Sequence, residues 1–278
     1  MRRARCQLCL AFLLGLYVGR CSLKLETKQR GETKTRYSDC FELEVVEKMA
    51  SGQYTGDLGK EYWAWQSNNI DIGGRITAAL FQNYSQPGYT VLDVGCGSGT
   101  VIQNVPARER WCVEVNPLAR AVAAKSVGAT DRVFASIDEL PDQRFDLIIS
   151  NHALEHVSCP LLFVRKLQKK LKSGGKVVFA TPGLQDELTY QMSLKYGDQG
   201  YDEQGDNNHH LYAWSSQQLA NLFKIAGYEV LEARTRLYSR TPEADEAWQL
   251  GGERAFWPIA ERQNRHPQTM VVARHPQL

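Results

Sequence analysis

The sequence predicts an α/β domain built on a mainly parallel sheet with helices on its faces. Two observations carry that reading: strand-like runs alternate with helical segments from residue 89 onward, and runs such as Leu147-Ile148-Ile149 are apolar without interruption. A strand wetted on one side alternates apolar with polar residues, whereas a parallel strand covered on both faces has no polar side to show. The chain has 278 residues and is 43% hydrophobic, enough for one core of about 200 residues plus extensions.

Strands are expected over residues 89–94, 111–115, 132–134, 145–150 and 176–180, and later over 228–235 and 269–274, where β-branched and aromatic residues gather. A helix is expected over 160–171, with Leu161, Val164, Leu167 and Leu171 on one face and Ser173-Gly174-Gly175 as its stop. Another is expected over 215–226, opened by Ser215 or Ser216 and closed by Gly227. Helical spacing over 41–49 and 76–81, ahead of the Gln86-Pro87-Gly88 turn, marks 41–88 as a helical N-terminal extension to a domain over 89–278. Within that extension, Tyr62-Trp63-Ala64-Trp65 reads as packing material more readily than as a substrate platform. The stretch 241–268, with Trp248, Phe256 and Trp257, reads as one more packing helix.

Ahead of the extension, Arg2, Arg3 and Arg5 precede an apolar run over 8–19, followed by Arg20, and no acid appears before Glu26. This pattern is an address or an anchor: residues 1–22 read as a signal peptide or short signal anchor, with an organellar transit peptide as the further alternative. The run is shorter than the ~20 residues that span a bilayer comfortably, and it gives a route to membrane association. Residues 23–40 are polar and charged, as in an exposed linker. With 33 basic and 31 acidic residues and a formal charge of +2, no net field favours nucleic acid as a partner. The seven cysteines are irregularly placed and imply no dense disulfide framework. Cys6 and Cys9 form a CxxC inside the apolar leader, without the second half of a zinc site.

The strongest motif is Val91-Leu92-Asp93-Val94-Gly95-Cys96-Gly97-Ser98-Gly99-Thr100. A buried strand that ends in an acid and turns through alternate glycines lets backbone approach a ligand that side chains would block. The loop is expected to open a helix. Glu114 ends the next strand, where a carboxylate at the same rim of the sheet can accept both hydroxyls of a ribose. A dinucleotide-binding loop is the rival reading, but its fingerprint is Gly-x-Gly-x-x-Gly, and here the third glycine comes one residue early. Asp93 would repel a diphosphate and suits a cationic ligand.

These residues resemble the class I S-adenosylmethionine-dependent methyltransferases, in the branch with a Leu-Glu-His-Val tetrad after the fourth strand. The resemblance runs from about Thr90 to Gly227 and, more loosely, to Ala273. Asp93, Gly95, Gly97 and Gly99 fill the family's acid-x-Gly-x-Gly-x-Gly loop, and the segment from Phe145 through Asn151-His152-Ala153-Leu154-Glu155-His156-Val157 matches its fourth-strand motif. The resemblance implies a Rossmann-like three-layer sandwich with about seven strands, S-adenosyl-L-methionine as cofactor and a small or medium organic molecule as methyl acceptor. It implies cofactor contacts from Gly95 and Gly97, with Asp93 nearby, Cys96 and Gly99 in the same loop, and Glu114 and Val115 at the ribose. Asn151 and the residues after it would line the sulfonium and the acceptor. Where the family commonly has an acid for the adenine amino group this chain has Ser136, so Asp138 is the substitute, with a backbone amide near Ile137 reading the ring.

Methyl transfer needs a general base only where the acceptor must lose a proton. Candidates are His152, Glu155, His156, His209 and His210, of which His152, His209 and His210 are placed nearest the expected mouth and His156 reads rather as a packing residue. Residues 182–212 are long for a connection and read as a substrate lid. Their acids, Asp186, Glu187, Asp198, Asp202, Glu203 and Asp206 against the single Lys195, read first as the solvated charges of a loop and second as an attraction for a cationic substrate. A cofactor-binding protein without catalysis, and a nicotinamide-dependent oxidoreductase, remain the alternative functions.

Overall fold

A computed structural model describes residues 52–67, 71–194, 209–236, 242–263 and 267–277. The expected leader, the linker and the helical spacing over 41–49 lie outside these residues. Seven strands form one sheet: β1 (Thr90–Val94), β2 (Glu109–Val113), β3 (Val133–Phe134), β4 (Phe145–Asn151), β5 (Leu171–Pro182), β6 (Glu229–Arg236) and β7 (Gln268–Arg274). Their order is β3-β2-β1-β4-β5-β7-β6. All neighbours are parallel except β7, which runs antiparallel to both β5 and β6. Every strand expected from the sequence is present, with ends moved by a few residues.

Successive side chains of a strand point to opposite faces, and both faces here are apolar. Leu92, Val94, Ile148, Val177, Phe179 and Val271 join one buried cluster with Val164, Leu167, Leu219 and Phe223. Val91, Leu147, Ile149, Val178, Met270 and Val272 join another with Ala78, Leu80, Phe81 and Ile102. Two covered faces make three layers, and they explain why the central strands β1, β4, β5 and β7 carry little polar alternation.

The helices are α1 (Gly56–Ser67), α2 (Asp71–Gln82), α3 (Pro117–Val127), α4 (Pro160–Lys170), α5 (Leu184–Ser193), α6 (Ser216–Ile225) and α7 (Pro242–Gln263). Local chemistry sets their ends. Asn116 Oδ1 accepts from the Leu118 and Ala119 N–H groups ahead of Pro117, and Gly128, at φ 75°, closes α3. Ser215 and Gln218 form a reciprocal cap on α6. The α7 helix breaks at Gly252 and carries Pro258, while Phe256 and the partly buried Trp248 and Trp257 pack with Ile76.

Two expectations are corrected. The glycine loop does not open a full helix: a single 3-10 turn, Ile102–Asn104, follows it, because β-branched Val101 and the nearby Pro106 leave no room for a longer run. The stretch expected as a lid is not loop from its start, since α5 occupies its first third; residues 195–208 lie outside the described residues. No helix among the described residues is long and apolar enough to cross a membrane.

Candidate active site

The parallel register brings Asp93 beside Cys112 and Val94 beside Val113, so β1 and β2 end together and their following loops share one rim. The N–H groups of Gly95 and Cys96 both donate to the Val113 carbonyl, at 2.8 and 3.2 Å, and hold the bend against β2. Gly97 has φ 54°, and a Cβ there would meet nothing within 4 Å, so its missing side chain leaves open space above the loop. Gly99, at φ 77°, is required by packing: a Cβ would sit 2.9 Å from Ser126 Cβ. Cys96 and Cys112 form a disulfide between this loop and β2, with Cα atoms 5.9 Å apart.

Glu114 lies one residue past β2, and its carboxylate closes the loop. Oε2 accepts from Gly97 N–H at 2.9 Å, and Oε1 accepts from Asn116 N–H at 2.8 Å. A carboxylate has about four acceptor sites, so these bonds leave capacity for a ligand's hydroxyls. Burial pushes the Glu114 pKa up, and the bonds from Asn116 and Gly97 pull it back. Asp93, 2% exposed, has Oδ2 buried without a hydrogen-bond partner. Burial first, then the neighbouring Glu114 charge, pushes its pKa to about 8. A cationic group is what this pocket of two carboxylates requires.

The other expected cofactor residues are distributed as follows. The carbonyl of Val115 accepts from Arg120 Nη1 at 2.7 Å. Ile137 is buried in a short turn that Ser136 and Glu139 cap reciprocally. Asp138 is exposed, and its carboxylate pairs with Lys166 at 3.0 Å. Asn151 ends β4 with Oδ1 buried and unpartnered.

Beyond β4 the chain supplies histidines. His152 has φ 52° and its Nε2 stands 3.0 Å from the Gln268 side-chain amide. It is exposed to solvent. The 3-10 turn Leu154–His156 buries Glu155 completely, and neither carboxylate oxygen has a hydrogen-bond partner. Burial pushes the Glu155 pKa to about 7. Burial likewise lowers His156 to about 4, with His210 adding to the effect and the backbone of His209 opposing it. His156 Nδ1 lies 2.6 Å from the Tyr54 hydroxyl. His210 pairs through Nδ1 with Glu187, which is 3% exposed. Glu187 is therefore no solvated loop charge: α5 places it inside. His209 is half-buried at φ 53° beside this group.

Sequence reasoning missed the part played by the N-terminal helix. Gly59 accepts a hydrogen bond from Asn116 Nδ2 at 2.8 Å, and Tyr62 feels both Glu114 and Glu155, which with burial push its hydroxyl to about 12. Thus α1 lies between the glycine loop and the histidine cluster. No local signal in Tyr62-Trp63-Ala64-Trp65 separates this role from ordinary packing.

A family model described as a methyltransferase domain matches residues 62–233, more than half of the chain. The protein belongs to the class I S-adenosylmethionine-dependent methyltransferases. The family match begins inside α1 and ends inside β6, so it includes the glycine loop, Glu114 and the histidine cluster. Among curated relatives, the chain is 35% identical over 166 residues to the ubiquinone biosynthesis O-methyltransferase of Idiomarina loihiensis, covering 56% of this chain and 65% of that protein. It is 24% identical over 168 residues to the malonyl-[acyl-carrier protein] O-methyltransferase of Anoxybacillus flavithermus, again covering 56% and 65%. The chain thus spans just under two thirds of the length of these relatives. Among solved structures, the Haemonchus contortus phosphoethanolamine N-methyltransferase 2 in complex with S-adenosyl-L-methionine superposes with a TM-score of 0.52 at 16% identity, over 83% of this chain and 59% of that one. The [4+2]-cyclase SpnF superposes with a TM-score of 0.50 at 22% identity, over 74% and 81%. At such identities the superpositions speak for the methyltransferase fold alone.

Proposed function

We propose that the protein transfers the methyl group of S-adenosyl-L-methionine to an oxygen of a small or medium organic acceptor. The observation that carries this reading is the joined pair of Glu114 and the Gly97 bend, with the unpartnered Asp93 carboxylate behind them. The residues present fit the cofactor: Gly97 opens space over the loop, Asp93 offers a buried negative charge to an ammonium group, and Glu114 has acceptor capacity left for two hydroxyls. The O-methyltransferase names of the two relatives favour oxygen as the acceptor atom.

When bound, S-adenosylmethionine supplies a methyl group already activated by the sulfonium charge. The chain's task is alignment and desolvation. Glu114 and the open space over Gly97 would hold the cofactor end, α1 would cover it, and His152 would stand at the acceptor side. Rotating the Gln268 amide lets its buried, unpartnered Oε1 accept from His152 Nε2–H. Nδ1 then keeps the lone pair that takes the acceptor's proton.

The leader over residues 1–22 is proposed to send the chain into the secretory pathway or hold it at a membrane, and the Cys96–Cys112 disulfide suits such an oxidising compartment. Fusing residues 1–40 to a reporter tests this address, and a reporter that stays in the cytosol rejects it.

The decisive experiment incubates the full chain with methyl-labelled S-adenosylmethionine and an extract of small molecules, alongside calorimetry of cofactor binding. Label passing into an organic product, and a loss of about 1 to 3 kcal/mol of cofactor affinity in Glu114→Ala, is the expected result. Cofactor binding without any labelled product would instead support a catalytically silent binding protein.

A further inference from the structure

Glu155 poses a problem that methyl transfer does not solve. Its carboxylate is wholly buried and neither oxygen is hydrogen-bonded, an arrangement that costs several kcal/mol unless a positive partner is supplied. Two imidazoles face it. Nε2 of His156 and Nε2 of His210 each lie 4.0 Å from the same atom, Oε1. That distance is too long for a hydrogen bond. One donor atom from each of the three residues falls within 4.8 Å of the others.

The opposite nitrogens of both rings are already committed. His156 Nδ1 meets the Tyr54 hydroxyl at 2.6 Å, and His210 Nδ1 meets the Glu187 carboxylate, which Gln191 Nε2 holds in turn at 3.0 Å. With each Nδ1 turned outward, Nε2 is the nitrogen of each ring that lies on the side of Glu155. Outer partners of this kind, a carboxylate above all, orient metal-bound histidines and raise their basicity.

We infer that Glu155, His156 and His210 form a binding site for one divalent transition-metal ion, of which zinc is the type. Two imidazoles and one carboxylate match the donor sets of zinc and ferrous sites, and are too rich in nitrogen for magnesium or calcium. Bond lengths of about 2.1 Å place tetrahedral donors roughly 3.4 Å apart, so side-chain movements of about 1 Å bring the three atoms into a first coordination sphere. The backbone of His209, near the His156 ring, is the competing partner for Nε2. Ionised Glu155 and Glu187 together balance the charge of a dication.

Three protein donors leave a coordination position open. Tyr62 on α1 interacts electrostatically with both Glu155 and Glu114, so the site lies near the proposed cofactor cradle. An oxygen bound there loses its proton more readily. This last consequence rests on the methyl-transfer reading; the metal site does not.

The test uses the full chain, stripped with a chelator and dialysed, then titrated with zinc by calorimetry and with cobalt(II) by visible absorption. The expected result is one ion per chain with nitrogen and oxygen rather than thiolate spectra. Glu155→Gln and His210→Ala should each abolish uptake of that ion, and Glu187→Gln should weaken it by about 10- to 100-fold. Circular dichroism and S-adenosylmethionine affinity measured on the same samples show that the variants remain folded. Absence of zinc and cobalt uptake by the intact chain overturns the site, as does binding that survives Glu155→Gln and His210→Ala, which would come from thiols. Either failure leaves cofactor binding and methyl transfer to be judged separately.

Discussion

Gly97 donates its N–H to Glu114 at 2.9 Å, so the bend that leaves room for a cofactor and the acid proposed to hold its ribose are one unit. Glu114→Gln keeps the shape but loses the charge and exchanges one acceptor for a donor. Calorimetry should show weaker cofactor binding by about 1 to 3 kcal/mol, and thermal unfolding without cofactor should also move down, because the amide cannot accept from both Gly97 and Asn116.

Asp93 ties stability to pH in an unusual direction. Its pKa in the folded protein is about 8, against about 3.9 in an unfolded chain. The stabilising, protonated form is complete below pH ~4 and is lost as pH rises through 8, because between those values unfolding releases a proton. Stability of the cofactor-free protein should therefore fall over this window, by at most about 1.4 kcal/mol per pH unit from this group. Asp93→Asn should flatten that fall in urea titrations and weaken cofactor binding. A steeper fall in the variant would refute the assignment.

The two glycines should separate binding from folding. At Gly97 a methyl group meets nothing within 4 Å, so Gly97→Ala costs only the left-handed backbone penalty of about 1 to 2 kcal/mol while intruding where the cofactor is proposed to lie. At Gly99 the methyl group meets Ser126 at 2.9 Å and Ala123 at 3.3 Å, and Gly99→Ala should lower stability by about 1 to 3 kcal/mol. Paired denaturation and binding curves distinguish the two patterns.

Cys96 and Cys112 close a loop of 16 residues, and chain-entropy reasoning assigns such a crosslink about 3 kcal/mol. Thermal unfolding with and without reductant should differ accordingly, and a non-reduced peptide map should contain the linked pair. Reductant should also loosen the glycine bend and weaken cofactor binding.

His152→Ala tests proton removal on the acceptor side. If its ring takes the acceptor's proton, kcat should fall by about 10²- to 10⁴-fold with cofactor affinity unchanged. Equal turnover in the variant would assign the proton to another group or to water.

What the sequence made legible was the sheet and its rim. Valine, isoleucine and leucine crowd β1, β4, β5 and β7 because both faces of those strands are covered, and Asp93, Gly97 and Glu114 are separated by distances that adjacent parallel strands turn into contact. What stayed hidden depended on tertiary placement. Tyr54 meets His156 from 102 residues away, Glu187 gives no local sign of burial among its acidic neighbours, and Cys112 lies on β2 while its partner lies in the loop after β1. The glycine loop is followed by a single turn, Ile102–Asn104, rather than a helix because Pro106 stops the chain from coiling further.

The position of β7 has a bearing on how the chain reaches its folded form. The strand latest in sequence sits inside the sheet, between β5 and β6, with six of its seven residues buried. During synthesis β6 therefore has no sheet neighbour to dock on until residue 274 has emerged, and the edge of β5 stays open to foreign strands meanwhile. Closure of the sheet waits for residue 274, and shielding by chaperones matters most in the interval before it.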